Sequence, residues 1–201
     1  MIKIDYLEYV LENLIDANNK ASNLSLDNVH HKGLFSLVIK GDEFGKLLRV
    51  FITFGKIKPF AIQLHTHRYP ILLTPVKGSI TQHTATVSDT GITMSKYDYK
   101  SVLNGGNGLQ YEEDVNIKLD NFFLPVGCSV KMDTEEFHTI SCSKDSIWIV
   151  EEFGFEKDSS KLLGVPFSVD SMYEKPSDST ITMYSNLVRA EIRNLIKLYK
   201  K

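Results

Sequence analysis

Ile4, Leu7, Val10, Leu11, Leu14 and Ile15 recur at steps of three and four in the first segment, a spacing that gathers them into one apolar stripe if the chain is helical. The spacing predicts an amphipathic helix over 4–18, within an N-terminal helical segment 1–20. Asn18, Asn19, Ser22 and Asn23 interrupt the stripe, and a mostly polar stretch follows to Asn28. From Gly33 to Phe153 the pattern changes to short runs rich in Val, Ile, Phe, Thr and Tyr. Turn clusters such as Lys40-Gly41-Asp42, Ser88-Asp89-Thr90-Gly91 and Asn104-Gly105-Gly106-Asn107-Gly108 separate them, the punctuation of hairpins. Strands are expected at 34–40, 46–54, 59–67, 70–76, 78–87, 91–97, 115–119, 128–132, 136–142 and 146–153. Because no helical patterns alternate with these runs, the core reads as all-β, a sandwich or small barrel rather than a doubly wound α/β sheet.

Beyond Gly154 the pattern becomes irregular over 154–178, where Pro166 and Pro176 limit regular structure. A second helix is expected over 179–200, capped by Ser179 or Asp178. Met183, Leu187, Ala190, Ile192, Leu195 and Leu198 would form its apolar face, with Lys197, Lys200 and Lys201 at the end where cations favour the helix dipole. Both terminal helices are expected to pack outside the β core, which spans 33–153, in one domain covering 1–201.

Composition narrows the function classes. At 201 residues the chain can bury a sizeable core, and its 42% hydrophobic and 24% charged residues are ordinary for a globular protein. A formal charge of −2 gives no electrostatic reason to expect nucleic acid or a membrane surface as partner. No signal-peptide h-region and no apolar run of membrane-spanning length occurs, so a cytoplasmic location is expected. In that compartment Cys128 and Cys142 are expected as reduced thiols. The glycine-rich run 104–108 lacks the Lys-Ser/Thr ending of a phosphate loop and reads as a mobile loop.

The placement of the histidines carries the chemistry. His65-Thr66-His67 ends the run Pro59–Leu64, and in a strand two residues apart both imidazoles project from one face. His138 lies in another strand-like run, Glu136–Ile140, and reaches the same point if the sheet closes on itself as a small barrel does. His83 is a candidate fourth partner whose direction depends on register. His30 and His31 precede the barrel and read as surface residues. A histidine without a metal, exposed or hydrogen-bonded, is the alternative at each position.

The stretch from Gly55 through His65-Thr66-His67 to Gly78 resembles the first motif of the cupin superfamily. Gly127-Cys128-Ser129-Val130-Lys131-Met132-Asp133-Thr134-Glu135-Glu136-Phe137-His138 resembles the second. The resemblance covers roughly residues 45–153 and implies a cupin-type double-stranded β-helix barrel with a divalent metal in its mouth, held by His65, His67 and His138. The family's usual glutamate ligand would fall at Ile71 or Leu72, neither of which binds metals. The spacer from Gly55 to His65 is long, and Asp133 and Glu135 replace the usual proline and glycine. Three histidines therefore remain as the ligand set, similar to the thiol dioxygenase branch of the superfamily.

That likeness implies a non-haem Fe(II) dioxygenase-like enzyme acting on a small thiol or other small anionic substrate. A substrate carboxylate would need a cation. Arg49 is the first choice and Arg68 the second, although Arg49 also reads as a surface strand residue paired with Asp42 or Glu43. Tyr69 is a candidate pocket hydroxyl, or a packing aromatic beside Pro70. One of Glu151 and Glu152, which alternate in direction, would point into the pocket and orient a ligand histidine. Other metals, Zn(II), Ni(II) or Mn(II), and other functions stay open: a zinc-dependent hydrolase or lyase, a sugar-type isomerase, or a non-catalytic small-ligand binding barrel. A homodimer is expected by analogy with the family.

Overall fold

A computed structural model of the chain describes residues 2–14, 23–100, 105–164 and 174–201. Its strands are β1 (Leu34–Gly41), β2 (Lys46–Thr53), β3 (Leu64–His65), β4 (Ile71–Lys77), β5 (Ile80–Lys100), β6 (Gly108–Leu124), β7 (Val130–Met132), β8 (Phe137–Cys142), β9 (Ile147–Phe153) and β10 (Ser160–Leu163). Helices α1 (Ile4–Asn13) and α2 (Asp178–Tyr199) lie at the two ends. The strands form two five-stranded sheets, β1-β2-β9-β4-β7 and β10-β3-β8-β5-β6, with β10 also pairing to β5. Every pairing is antiparallel. With the two helices outside, this is a cupin-like β-barrel fold.

The first sheet is covered on both faces, which explains why its strands read as nearly continuous apolar runs. Leu48, Val50 and Ile52 of β2, with Ile147 and Ile149 of β9, join the cluster that contains Leu7 and Val10 of α1 and Val188, Ile192 and Leu195 of α2. The alternate residues turn to the other face: Trp148 and Val150 of β9, with Ile71 and Leu73 of β4, pack against Ile140 and Ile62 between the sheets. This period-2 division places Arg49, Phe51 and Glu152 on the inner side, where a cavity lies.

The structure corrects several sequence expectations. The run 59–67 contributes only Leu64–His65 to a sheet. Before it the chain turns, with Phe60 at φ 59° and Ile57 bridging to Cys142. The runs 78–87 and 91–97 are one strand, β5, because Ser88–Gly91 form a bulge: Val87 and Ile92 both pair with Ile117. Gly91 fits there because a Cβ would meet the Ile117 carbonyl oxygen at 2.1 Å. β6 is much longer than 115–119, and the glycine-rich run leads into it, its first residue, Asn104, lying outside the described residues. The segment 154–178 contains β10, while 165–173 lie outside the described residues.

α1 ends at Asn13, and residues 15–18 of the expected helix also lie outside the described residues. The cap of α2 is Ser177, whose hydroxyl accepts from the Thr180 N–H, rather than Ser179 or Asp178. Its buried face is Ile181, Ser185, Val188, Ile192, Leu195 and Ile196, with Met183 and Leu198 exposed. Cys128 and Cys142 are both free thiols. No helix among the described residues is long and apolar enough to cross a membrane.

Candidate metal centre

β3 is only two residues long, yet it is held from both sides. His65 is the register partner of His138 on β8 and of Leu162 on β10. The next residue is pinned twice, the Thr66 N–H donating to the Lys161 carbonyl at 2.8 Å and the Lys161 N–H to the Thr66 hydroxyl at 2.9 Å. His67 therefore returns to the side of His65. The three imidazole rings lie with centroids 4.8 to 4.9 Å apart, and one ligand nitrogen from each lies within 4.8 Å of the others. His67 Nε2 and His138 Nε2 are 2.7 Å apart.

His65 Nδ1 lies 2.7 Å from the Gln63 carbonyl oxygen. A carbonyl only accepts, so Nδ1 carries the proton and Nε2 presents a lone pair, the tautomer a metal ligand needs. Nδ1 of His138 lies 2.7 Å from the side-chain amide of Gln82, which also touches Met132 Sδ. Burial lowers the pKa of His65 and, reinforced by the positive potential of His65 and other neighbours, takes those of His67 and His138 well below the usual imidazole value. Near neutral pH all three are uncharged, which suits coordination. In a metal–imidazole shell with bonds of about 2.0–2.1 Å, donors sit roughly 3 Å apart in octahedral and roughly 3.4 Å apart in tetrahedral arrangements. The triad fits a divalent cation after side-chain adjustments well under the size of a residue.

These histidines line a cavity of about 390 Å³. Arg49 is on its wall, as the sequence suggested, but it contacts neither Asp42 nor Glu43. Its Nε lies 2.7 Å from Glu152 Oε1, and one terminal nitrogen lies 3.4 Å from the Ser36 hydroxyl. Glu152 takes the inward position, and it pairs with Arg49 rather than orienting a histidine. Burial raises its pKa, while Arg49 and the Tyr69 hydroxyl pull the other way. Tyr69 lies on the lining, its ring stacks on His67 at 5.7 Å, and burial, then Glu152, push its pKa upward. Arg68 also reaches the lining, with its guanidinium 4.5 Å from the Phe155 ring centre.

His83 does not join the triad. Its Nε2 bonds the Ser141 hydroxyl at 2.8 Å, because on β5 it is the neighbouring Gln82 that shares the face of His138. His30, read as a surface residue, is exposed but stands at the cavity lining, stacked 5.6 Å from His65. Gln82 escaped the sequence reading; its one signal is its position beside His83 on a strand. The backbone opposite Ile71, where the family's glutamate would fall, is that of Glu152.

No family model matches the chain, and no curated protein does. Among solved structures it is similar to hydroxypropylphosphonic acid epoxidase from S. wedmorenis, at 12% identity and TM-score 0.41, over 64% of this chain and 54% of that one. A cadmium complex of hydroquinone 1,2-dioxygenase aligns at 9% identity and TM-score 0.38, over 73% of this chain and 74% of that one. Drosophila melanogaster CENP-C bound to CAL1 aligns at 13% identity and TM-score 0.31, over 80% and 96%. The chain spans about half the length of the epoxidase.

Proposed function

We propose that the chain is a metal-dependent cupin-like enzyme that holds a divalent cation, Fe(II) by preference, on His65, His67 and His138 and oxidises a small molecule in the adjoining cavity. The observation that carries this reading is the convergence of three uncharged imidazoles, His138 buried and His65 and His67 half-buried, one with its tautomer fixed by the Gln63 carbonyl. At 2.7 Å one of the facing His67 and His138 Nε2 atoms donates to the other, and a bound cation would take the place of that hydrogen bond.

Bound there, iron would supply the one-electron chemistry of an oxygenase, and three neutral ligands would leave its positive charge available to an anionic substrate group. The chain's own residues do the rest. The apolar wall excludes water and raises the strength of every charge interaction at the triad. Tyr69, beside both His67 and the Glu152 carboxylate, holds a hydroxyl proton at the polar end of the cavity. Arg49 holds the Glu152 carboxyl group at 2.7 Å in an apolar setting and opposes the upward push of burial on its pKa.

The test is elemental analysis of untagged protein, for the native chain and for His65→Ala and His138→Ala. Near-stoichiometric iron that both substitutions abolish, with dioxygen uptake on adding substrate candidates, is the expected result. Zinc in place of iron would turn the reading to hydrolysis or hydration, and absence of any metal after reconstitution would sink it.

A further inference from the structure

The lining of the cavity is divided along the strands of the first sheet. Arg49, Glu152 and Tyr69 stand at one end. Two residues further along β2 and β9, and so on the same face, are Phe51 and Val150, with Trp148 beyond. Phe51 and Trp148 are register partners whose rings stack at 5.5 Å and 13°, giving a flat aromatic wall. Ile71 and Leu73 of β4 and Ile140 of β8 complete an apolar surround. The histidines belong to the polar end, since His67 stacks on Tyr69.

Charge compensation separates two substrate classes. A small zwitterion needs an uncompensated cation for its carboxylate and gains nothing from a hydrocarbon wall. Here Arg49 is neutralised by Glu152, and Arg68, which keeps its charge, is turned onto the Phe155 ring. The apolar end offers what a small polar zwitterion cannot use: a ring or short alkyl body buried there gains about 25 cal/mol per Å² of apolar surface removed from water. A volume near 390 Å³ is at the small end of ligand cavities, suited to one ring rather than a fused system.

We infer that the cavity takes a small amphiphile of single-ring size, with an anionic, metal-binding head such as a phenolate or aryl thiolate at the histidines and its apolar body against Phe51 and Trp148. The assignment of the head rests on the metal reading proposed above; the assignment of the body does not.

Trp148 is the chain's single tryptophan and lies on the lining, so its fluorescence reports occupancy directly. The probe is 4-nitrophenol, which absorbs where tryptophan emits; cysteine and glycolate are the polar comparisons. Saturable quenching by 4-nitrophenol is expected in metal-free protein, tightened roughly tenfold or more by redox-silent Zn(II), the worth of one good added interaction. Neither polar compound should compete at tenfold higher concentration. Leu73→Phe, or Ile140→Phe if the first variant unfolds earlier on heating, should weaken the probe by at least about tenfold through lost volume, with zinc stoichiometry unchanged. His65→Ala should abolish the zinc effect. No saturable quenching in either form, or displacement of the probe by cysteine, overturns the inference. Metal-free binding that zinc does not tighten, in protein that has taken up zinc, would overturn the head assignment alone and uphold the body; failure to take up zinc would overturn the metal reading.

Discussion

Removing Arg49 and removing the Arg49–Glu152 pair have different costs. Glu152 is 5% exposed, and Arg49→Met would leave its carboxylate buried without a counter-ion, a change worth about 3–5 kcal/mol for a buried pair. The double variant Arg49→Met, Glu152→Met removes both charges and should recover most of that loss in urea denaturation. If the pair also serves the reaction, the double variant will be folded and inactive. Gln82 acts at one remove, through Nδ1 of His138. Gln82→Leu should weaken metal binding by roughly 10- to 100-fold, read by chelator competition, while Gln82→Glu, whose carboxylate can accept from a protonated Nδ1 where the amide nitrogen only donates, should restore much of it. The buried histidines also set a pH dependence. Their folded pKa values are depressed by burial, so below about 6.5 the unfolded chain takes up protons that His67 and His138 refuse. Metal-free protein should therefore hold its urea midpoint above pH 7 and lose stability as pH falls below 6.5. His67→Gln should flatten that slope. Glu152, whose pKa is raised, has the opposite sign: its contribution is present below the unfolded carboxylate value and fades as pH rises through its folded one.

At the scale of elements, periodicity revealed which residues share a face and failed where the chain breaks period without breaking pairing. The H-x-H spacing and the run around His138 were legible because two residues apart in a strand means one side of a sheet. The bulge at Ser88–Gly91 was not, since its composition is that of a hairpin turn; what decides is the approach of Gly91 to the Ile117 carbonyl, a contact between distant residues. The run before His65 has strand composition throughout, but its pairing ends where Phe60 adopts a left-handed φ. Glu152 was legible only as one of two alternating carboxylates, because its partner Arg49 comes from a strand far away in sequence. Gly78 was read as a motif glycine; in the fold it has φ 87°, and a Cβ would meet Ser146 Oγ at 2.2 Å and Cα at 2.9 Å. Gly78→Ala combines a strained φ with that clash and should lower the thermal midpoint well beyond the roughly 1 kcal/mol expected for Ser177→Ala, which removes only a helix cap. Differential scanning calorimetry on both variants ranks the two effects.

At the scale of the molecule, the cavity keeps its shape because the sheet that carries Arg49, Phe51, Trp148 and Glu152 is backed by the two helices. α1 and α2 touch each other as well as β1, and the Gly127 turn touches both ends: its carbonyl accepts from the Ile2 N–H, and it leaves no room beside the Tyr199 hydroxyl. α1 therefore completes its packing only when α2, which follows all the strands in sequence, has docked. Until then Leu7 and Val10 lack part of their final cluster, and α1 is a waiting segment that a chaperone can hold. In refolding, amide protection of α1 should appear late and together with that of α2, as a closing step that follows pairing of the strands.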